Sequence, residues 1–202
     1  MTLVELLTTM SILGLVMTAV IGMFVTGLRA ETDMNKRFVA QQNARLALSA
    51  LRNEIGSACT VTLGAVTTPV VETIGSQLTL LIPDSRHTPV NGQSACSSTA
   101  TYPPIRVSWC AASASGAAPF GLYRQVAATC SSSTGVKRAG SLKCAGTPSP
   151  PSTCAAVFLK TTSAGQYPTV TVTFPVQANL TNTHGLYKLQ DTIMARNAGI
   201  GS

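Results

Sequence analysis

From Leu6 to Leu28 the sequence LLTTMSILGLVMTAVIGMFVTGL carries no charged residue, and it starts beside a carboxylate, Glu5. As a helix, a run of about 23 residues rises about 35 Å, enough to cross a bilayer core of about 30 Å. Few soluble folds can hide such a segment, so it predicts a helix that meets lipid or a bundle of like helices. A cleaved signal peptide fits less well. It would have basic residues in front and a small-residue cleavage site behind, whereas Arg29 and Glu31 follow directly. Glu5 is discordant with a plain anchor. An ionisable group at the edge of an apolar run is costly without a partner. A neighbour's positive group would supply one, and a free α-amino group at residue 1 is the natural candidate.

The helical pattern outlasts the apolar run. Met34, Phe38, Ala44, Leu48, Leu51 and Ile55 recur mostly at three- and four-residue spacing, while Gln41, Gln42, Asn43, Arg45, Ser49 and Arg52 fill much of the rest. No proline precedes Pro69, and Gly56 is a candidate stop. One helix from about residue 2 to residue 56, roughly 80 Å long, is predicted. The chain then divides into three parts: residues 1–28, apolar all round; residues 29–57, with one apolar stripe that needs a cover; and residues 58–202, the head that supplies it.

The head reads as β-rich. Gln77–Ile82, Ile105–Cys110, Phe120–Val126, Ala156–Leu159 and Thr169–Phe174 are strand-like, the last alternating most clearly. Strands following one long helix predict an α+β fold, with an antiparallel sheet laid on the amphipathic half-helix. Six cysteines, Cys59, Cys96, Cys110, Cys130, Cys144 and Cys154, all lie beyond the helix, and no two form a CxxC pair. The short paired spacings of zinc sites are missing, and the histidines are only His87 and His184. An even cysteine count in a Ser/Thr-rich head points to disulfides and an oxidising compartment. Six cysteines allow about 15 pairings, which spacing does not resolve. Proximity favours Cys110–Cys130 across a hairpin and Cys144–Cys154 around a Pro-rich loop.

The combination of Met1-Thr2-Leu3-Val4-Glu5-Leu6-Leu7 with the uncharged run behind it resembles the type IV pilins and type II secretion pseudopilins. The resemblance implies a precursor inserted in the membrane, cut by a prepilin peptidase so that residue 1 becomes an N-methylated terminus, and then drawn by inner-membrane machinery into a helical filament of identical or homologous subunits. Residue 1 of that family is usually Phe, and here it is Met1. By the same resemblance Glu5 neutralises the N-terminal amine of an adjacent subunit during assembly. The family often loses helical order within its apolar half in filaments. Gly14 and Gly22 are the weak points here, each about 1 kcal/mol worse than alanine in a helix; close helix packing is the other reading of both. Within the family the head looks most like the J/W-type minor subunits, on Gln41-Gln-Asn-Ala-Arg-Leu-Ala-Leu48, Leu122-Tyr-Arg124 and Asp191-Thr-Ile-Met-Ala-Arg-Asn197. The implied location is a cell-surface filament with a membrane-inserted precursor pool.

Other chemistry is sparse. Charged residues make up 10% of the chain, and the net charge of +7 gathers in the head, where only Glu72, Asp84 and Asp191 are acidic. No paired carboxylates, phosphate loop or nucleophile motif stands out, so neither catalysis nor a cofactor is expected. Two other readings compete with a filament subunit. One is an anchored protein whose head acts alone as an adhesin. The other is a DNA-capturing subunit using Lys137, Arg138 and Lys143, a candidate polyanion contact. One pattern points the other way: Arg29, Lys36 and Arg37 lie on the head side of the run, whereas cytoplasmic flanks attract the basic residues.

Overall fold

A computed structural model describes residues 2–64, 72–75, 77–84, 96, 103–113, 120–142, 157–177 and 186–198. Helix α1, Leu3–Ser57, is a single element of 55 residues. It does not stop at Gly56. The chain leaves the helix at Ala58, whose backbone is extended (φ -66, ψ 133) and whose N–H donates to the Ile55 carbonyl at 3.2 Å. Ala58 is fully buried, so the helix ends where the chain must enter the sheet beneath it. The Cys59 N–H is already bonded to the Leu81 carbonyl at 2.7 Å.

Among the described residues nine strands follow: β1 (Thr60–Leu63), β2 (Glu72–Gly75), β3 (Gln77–Ile82), β4 (Ile105–Ala112), β5 (Phe120–Gln125), β6 (Val136–Leu142), β7 (Phe158–Thr161), β8 (Thr169–Gln177) and β9 (Leu186–Met194). All pair antiparallel, in the order β1-β3-β4-β5-β6-β8-β7-β2, with β9 added along β8. The sheet curls until its two ends meet. Lys160 of β7 donates to the Val61 carbonyl of β1 at 2.8 Å. The fold is therefore α+β, a long helix on a curled antiparallel sheet.

Alternation decides which side chains face the helix. In β8, Val170, Val172, Phe174 and Val176 are buried, with the residues between them partly exposed. β4 is buried on both faces: Val107, Trp109 and Ala111 join the main core under the helix, while Cys110 and Ala112 join Tyr123 in a small cluster on the outer face. That outer cluster has a lid. The chain after β5 folds back over it, tied by Ser108 Oγ donating to the Ala127 carbonyl at 2.7 Å and by Gln77 Nε2 donating to that of Ala128 at 2.9 Å. The Cys110–Cys130 disulfide pins the fold-back. A second disulfide, Cys59–Cys96, which spacing did not single out, fastens the chain just beyond the helix. Cys144, Cys154, Lys143 and Met1 lie outside the described residues.

The sheet covers less of the helix than the stripe predicted. The buried helical residues are Ala40, Ala44, Ala47, Leu48, Leu51 and Ile55. Met34 and Phe38 are 71% and 57% exposed, so the expected stripe is corrected at its beginning. The contact starts at Ala40 because small residues at 40, 44 and 47 let the backbones approach. The bulkier side chains below stand clear of the head.

Candidate functional site

Among the described residues the helix from Leu3 to Val39 is a surface that its own fold leaves unfinished. Its apolar window has a mean hydropathy of 2.1, and none of that window is buried. Leu3, Leu15 and Met23 are all more than two-thirds exposed. In water this surface would be strongly unfavourable, at about 25 cal/mol per Å² of apolar area. The helix is long and apolar enough to cross a membrane.

The hydroxyl side chains of its uncharged run are satisfied from within. The Thr8, Thr9 and Ser11 hydroxyls donate to the carbonyls of Glu5, Leu6 and Leu7 at 2.9–3.0 Å. Thr18 and Thr26 donate to Gly14 and Gly22 at 2.8 and 2.7 Å. A hydroxyl bonded back to its own helix carries no unpaired donor into hydrocarbon, which is what an apolar solvent requires. The helix runs unbroken through Gly14 and Gly22, and a Cβ at either position would meet nothing within 4 Å. Both glycines therefore lie on open helix surface in the single chain.

Glu5 is exposed on the first turn. Its carboxylate accepts the N–H of Thr2, the N-cap of the same helix, at 3.4 Å, a long bond. Such a contact suits an anion at a helix N-terminus. It leaves most of the carboxylate's acceptor capacity open toward any cation that approaches.

The upper half is locked to the sheet by polar contacts as well as by the core. Glu54 receives Trp109 Nε1–H at 2.6 Å on one oxygen and Arg124 Nε–H at 2.7 Å on the other. Trp109 is fully buried, so its indole N–H needs that acceptor. Arg52 donates Nε–H and Nη2–H to one Asp191 oxygen at 3.0 and 2.7 Å, and Asn197 donates to the Ser57 carbonyl at 3.3 Å. Arg124, Asp191 and Asn197 belong to the short stretches that carry the J/W-type resemblance. Their work in this fold is to hold the head on the helix. Glu54 and Trp109 were not singled out from sequence. They lie 55 positions apart, and only the register of β4 under the helix brings them together.

Among the described residues no group of three His, Cys, Asp or Glu side chains could hold a metal ion. Burial pushes the Tyr187 phenol above the usual range, and the charge of Arg45 pulls partly against it. Its hydroxyl is buried without a hydrogen-bond partner among the described residues. Lys137 and Arg138 are exposed in β6. No protein-family model matches the chain, and neither a curated protein nor a solved structure matches it.

Proposed function

We propose that the chain is a structural subunit of a type IV pilus or pilus-like filament, held first in the membrane by its N-terminal helix and then polymerised through it. One observation carries this reading: a single helix of 55 residues is sheathed by its own head only from Ala40 on. Within the bare part the uncharged run Leu6–Leu28 matches lipid in length, and it matches a bundle of its own copies in character. Glu5 favours the bundle as the final state, since a simple anchor gains nothing from a carboxylate at its edge. In the filament that carboxylate neutralises a neighbour's N-terminal amine. A prepilin peptidase and inner-membrane assembly machinery are the partners this route needs. The head is the outward, oxidised and non-catalytic part, and the filament stands on the cell surface.

The test is Glu5→Ala in cells making filaments. The variant should remain in the membrane fraction at wild-type level and be missing from sheared filaments. Incorporation at wild-type level would overturn the assembly role and favour the anchored adhesin.

A further inference from the structure

The basic residues just beyond Leu28 have no task in the reading above. They lie on the head side of the apolar run, against the usual charge bias, and an assembly role for Glu5 makes no use of them. Arg37 is committed to Asp33 one turn back, at 2.7 Å. Lys36 has neither hydrogen bond nor ion pair among the described residues. It lines a groove of about 610 Å³ between helix and head, with Thr32, Asn35 and Val39 beside it and Gly140 and Ser141 of β6 opposite.

Lys137 reaches the same wall from the outer face of the sheet. A Cβ on Gly121 would sit 3.1 Å from Lys137 Cε, and one on Gly140 would sit 3.3 Å from its Nζ. Two glycines thus clear a track that lays the ammonium along β6 toward the groove. Lys137 too is without an ion-pair partner among the described residues.

Height along the helix identifies what the lower end of the groove faces. With Leu28 at the edge of the hydrocarbon, a rise of 1.5 Å per residue puts Thr32 about 6 Å beyond it and Lys36 about 12 Å. The headgroup layer is about 5–7 Å deep on each side. Helical side chains lean toward the N-terminus, so the Lys36 ammonium leans back down toward that layer.

We propose that this groove holds the phosphate of an anionic phospholipid from the head-side leaflet, with Lys36 as its ligand and Lys137 at the rim. The inference rests on the membrane-inserted stage of the proposed function. The bound lipid fixes the height and lean of the head over the bilayer before the subunit is withdrawn.

The experiment uses the full chain in nanodiscs of phosphatidylcholine, alone or with one quarter phosphatidylglycerol. Lipid retained after transfer to mild detergent is counted by native mass spectrometry. One phosphatidylglycerol should be retained in preference to phosphatidylcholine. Lys36→Gln should lower that retention about fivefold, the effect of one charge near an anionic surface. Val39→Trp fills the groove without changing charge at a position that is 47% exposed and outside the core, and should abolish retention. Arg29→Gln, nearer the membrane but outside the groove, should leave it unchanged.

Equal losses for Arg29→Gln and Lys36→Gln, or full retention by Val39→Trp, would overturn the groove in favour of diffuse surface charge. Millimolar inorganic phosphate should not displace the lipid; displacement would reassign the site to a soluble anion. Displacement by short duplex DNA would assign the cations to nucleic acid and overturn the lipid. A chain that enters neither nanodisc sinks the membrane-inserted reading itself. Insertion into both without lipid preference sinks the groove alone.

Discussion

The two lengths of α1, bare from Leu3 to Val39 and sheathed from Ala40 to Ser57, share one backbone and have opposite surroundings. In the sheathed length the buried face is narrow and half made of alanine, because a sheet already rich in Val, Leu and Phe supplies the bulk. In the bare length the large side chains point all round, because nothing in the chain selects a face. Apolar residues alone therefore do not make a core. A second surface of the right shape and register must come from the same chain, and here the curled sheet reaches only as far as Ala40.

Substitutions on the two sides of that boundary give the sharpest contrast. Leu51→Ala empties a fully buried position and should cost the head about 2–5 kcal/mol, read by denaturant unfolding in detergent. Ile12→Ala removes similar bulk from the bare length and should leave the same transition unmoved. A clear shift for Ile12→Ala would mean that the head senses the bare half after all. Next in size is the outer face. Replacing both Cys110 and Cys130 with alanine opens a loop with a sequence separation of 20 and should cost about 3 kcal/mol. The contacts between helix and sheet should survive it, so protection of the Glu54–Ile55 amides from hydrogen exchange should fall only with global stability.

Glu54→Ala comes third, at about 1–3 kcal/mol, because it strands the Trp109 N–H in the core and unpairs Arg124. Glu54→Gln keeps an acceptor for Trp109 and should cost less; equal losses would show that the ion pair, not the indole, needs Glu54. The smallest effect lies at high pH. The folded chain holds the Tyr187 proton more tightly than the unfolded chain does, so its contribution is intact below the ordinary phenol pKa and is lost as pH rises through the folded value. Tyr187→Phe should flatten that alkaline fall in unfolding titrations.

Much of this architecture is legible in the chain. An uncharged run followed by helical spacing predicts one long helix, and Gln77–Ile82 is bounded at the residues where β3 lies. The strands that escape notice do so for physical reasons. β6, Val136-Lys-Arg-Ala-Gly-Ser-Leu142, has charged and small residues because its first three positions are exposed, and its large buried side chain, Leu142, sits at its end. β9 has Asp191 on its covered face, where a sequence pattern expects an apolar residue; Arg52 of the helix explains it. Of the residues singled out as candidates, Gly14, Gly22 and Glu5 fall on open helix surface, and Lys137 and Arg138 on the exposed strand beside it. Lys36 stood out only as an anomalous charge, and the groove it lines exists only once β6 is packed beside the helix.

The sequence by itself determined that an apolar helix must find lipid or partners, since no arrangement of 202 residues with this pattern removes the need to cover Leu6–Leu28. It also determined that the head is β-rich, through alternation. Tertiary structure decided where self-covering ends and which cysteines meet. It also brought Glu54 to Trp109 and Lys36 to a groove. Those are matters of register between segments far apart in the chain, and local periodicity carries no information about them.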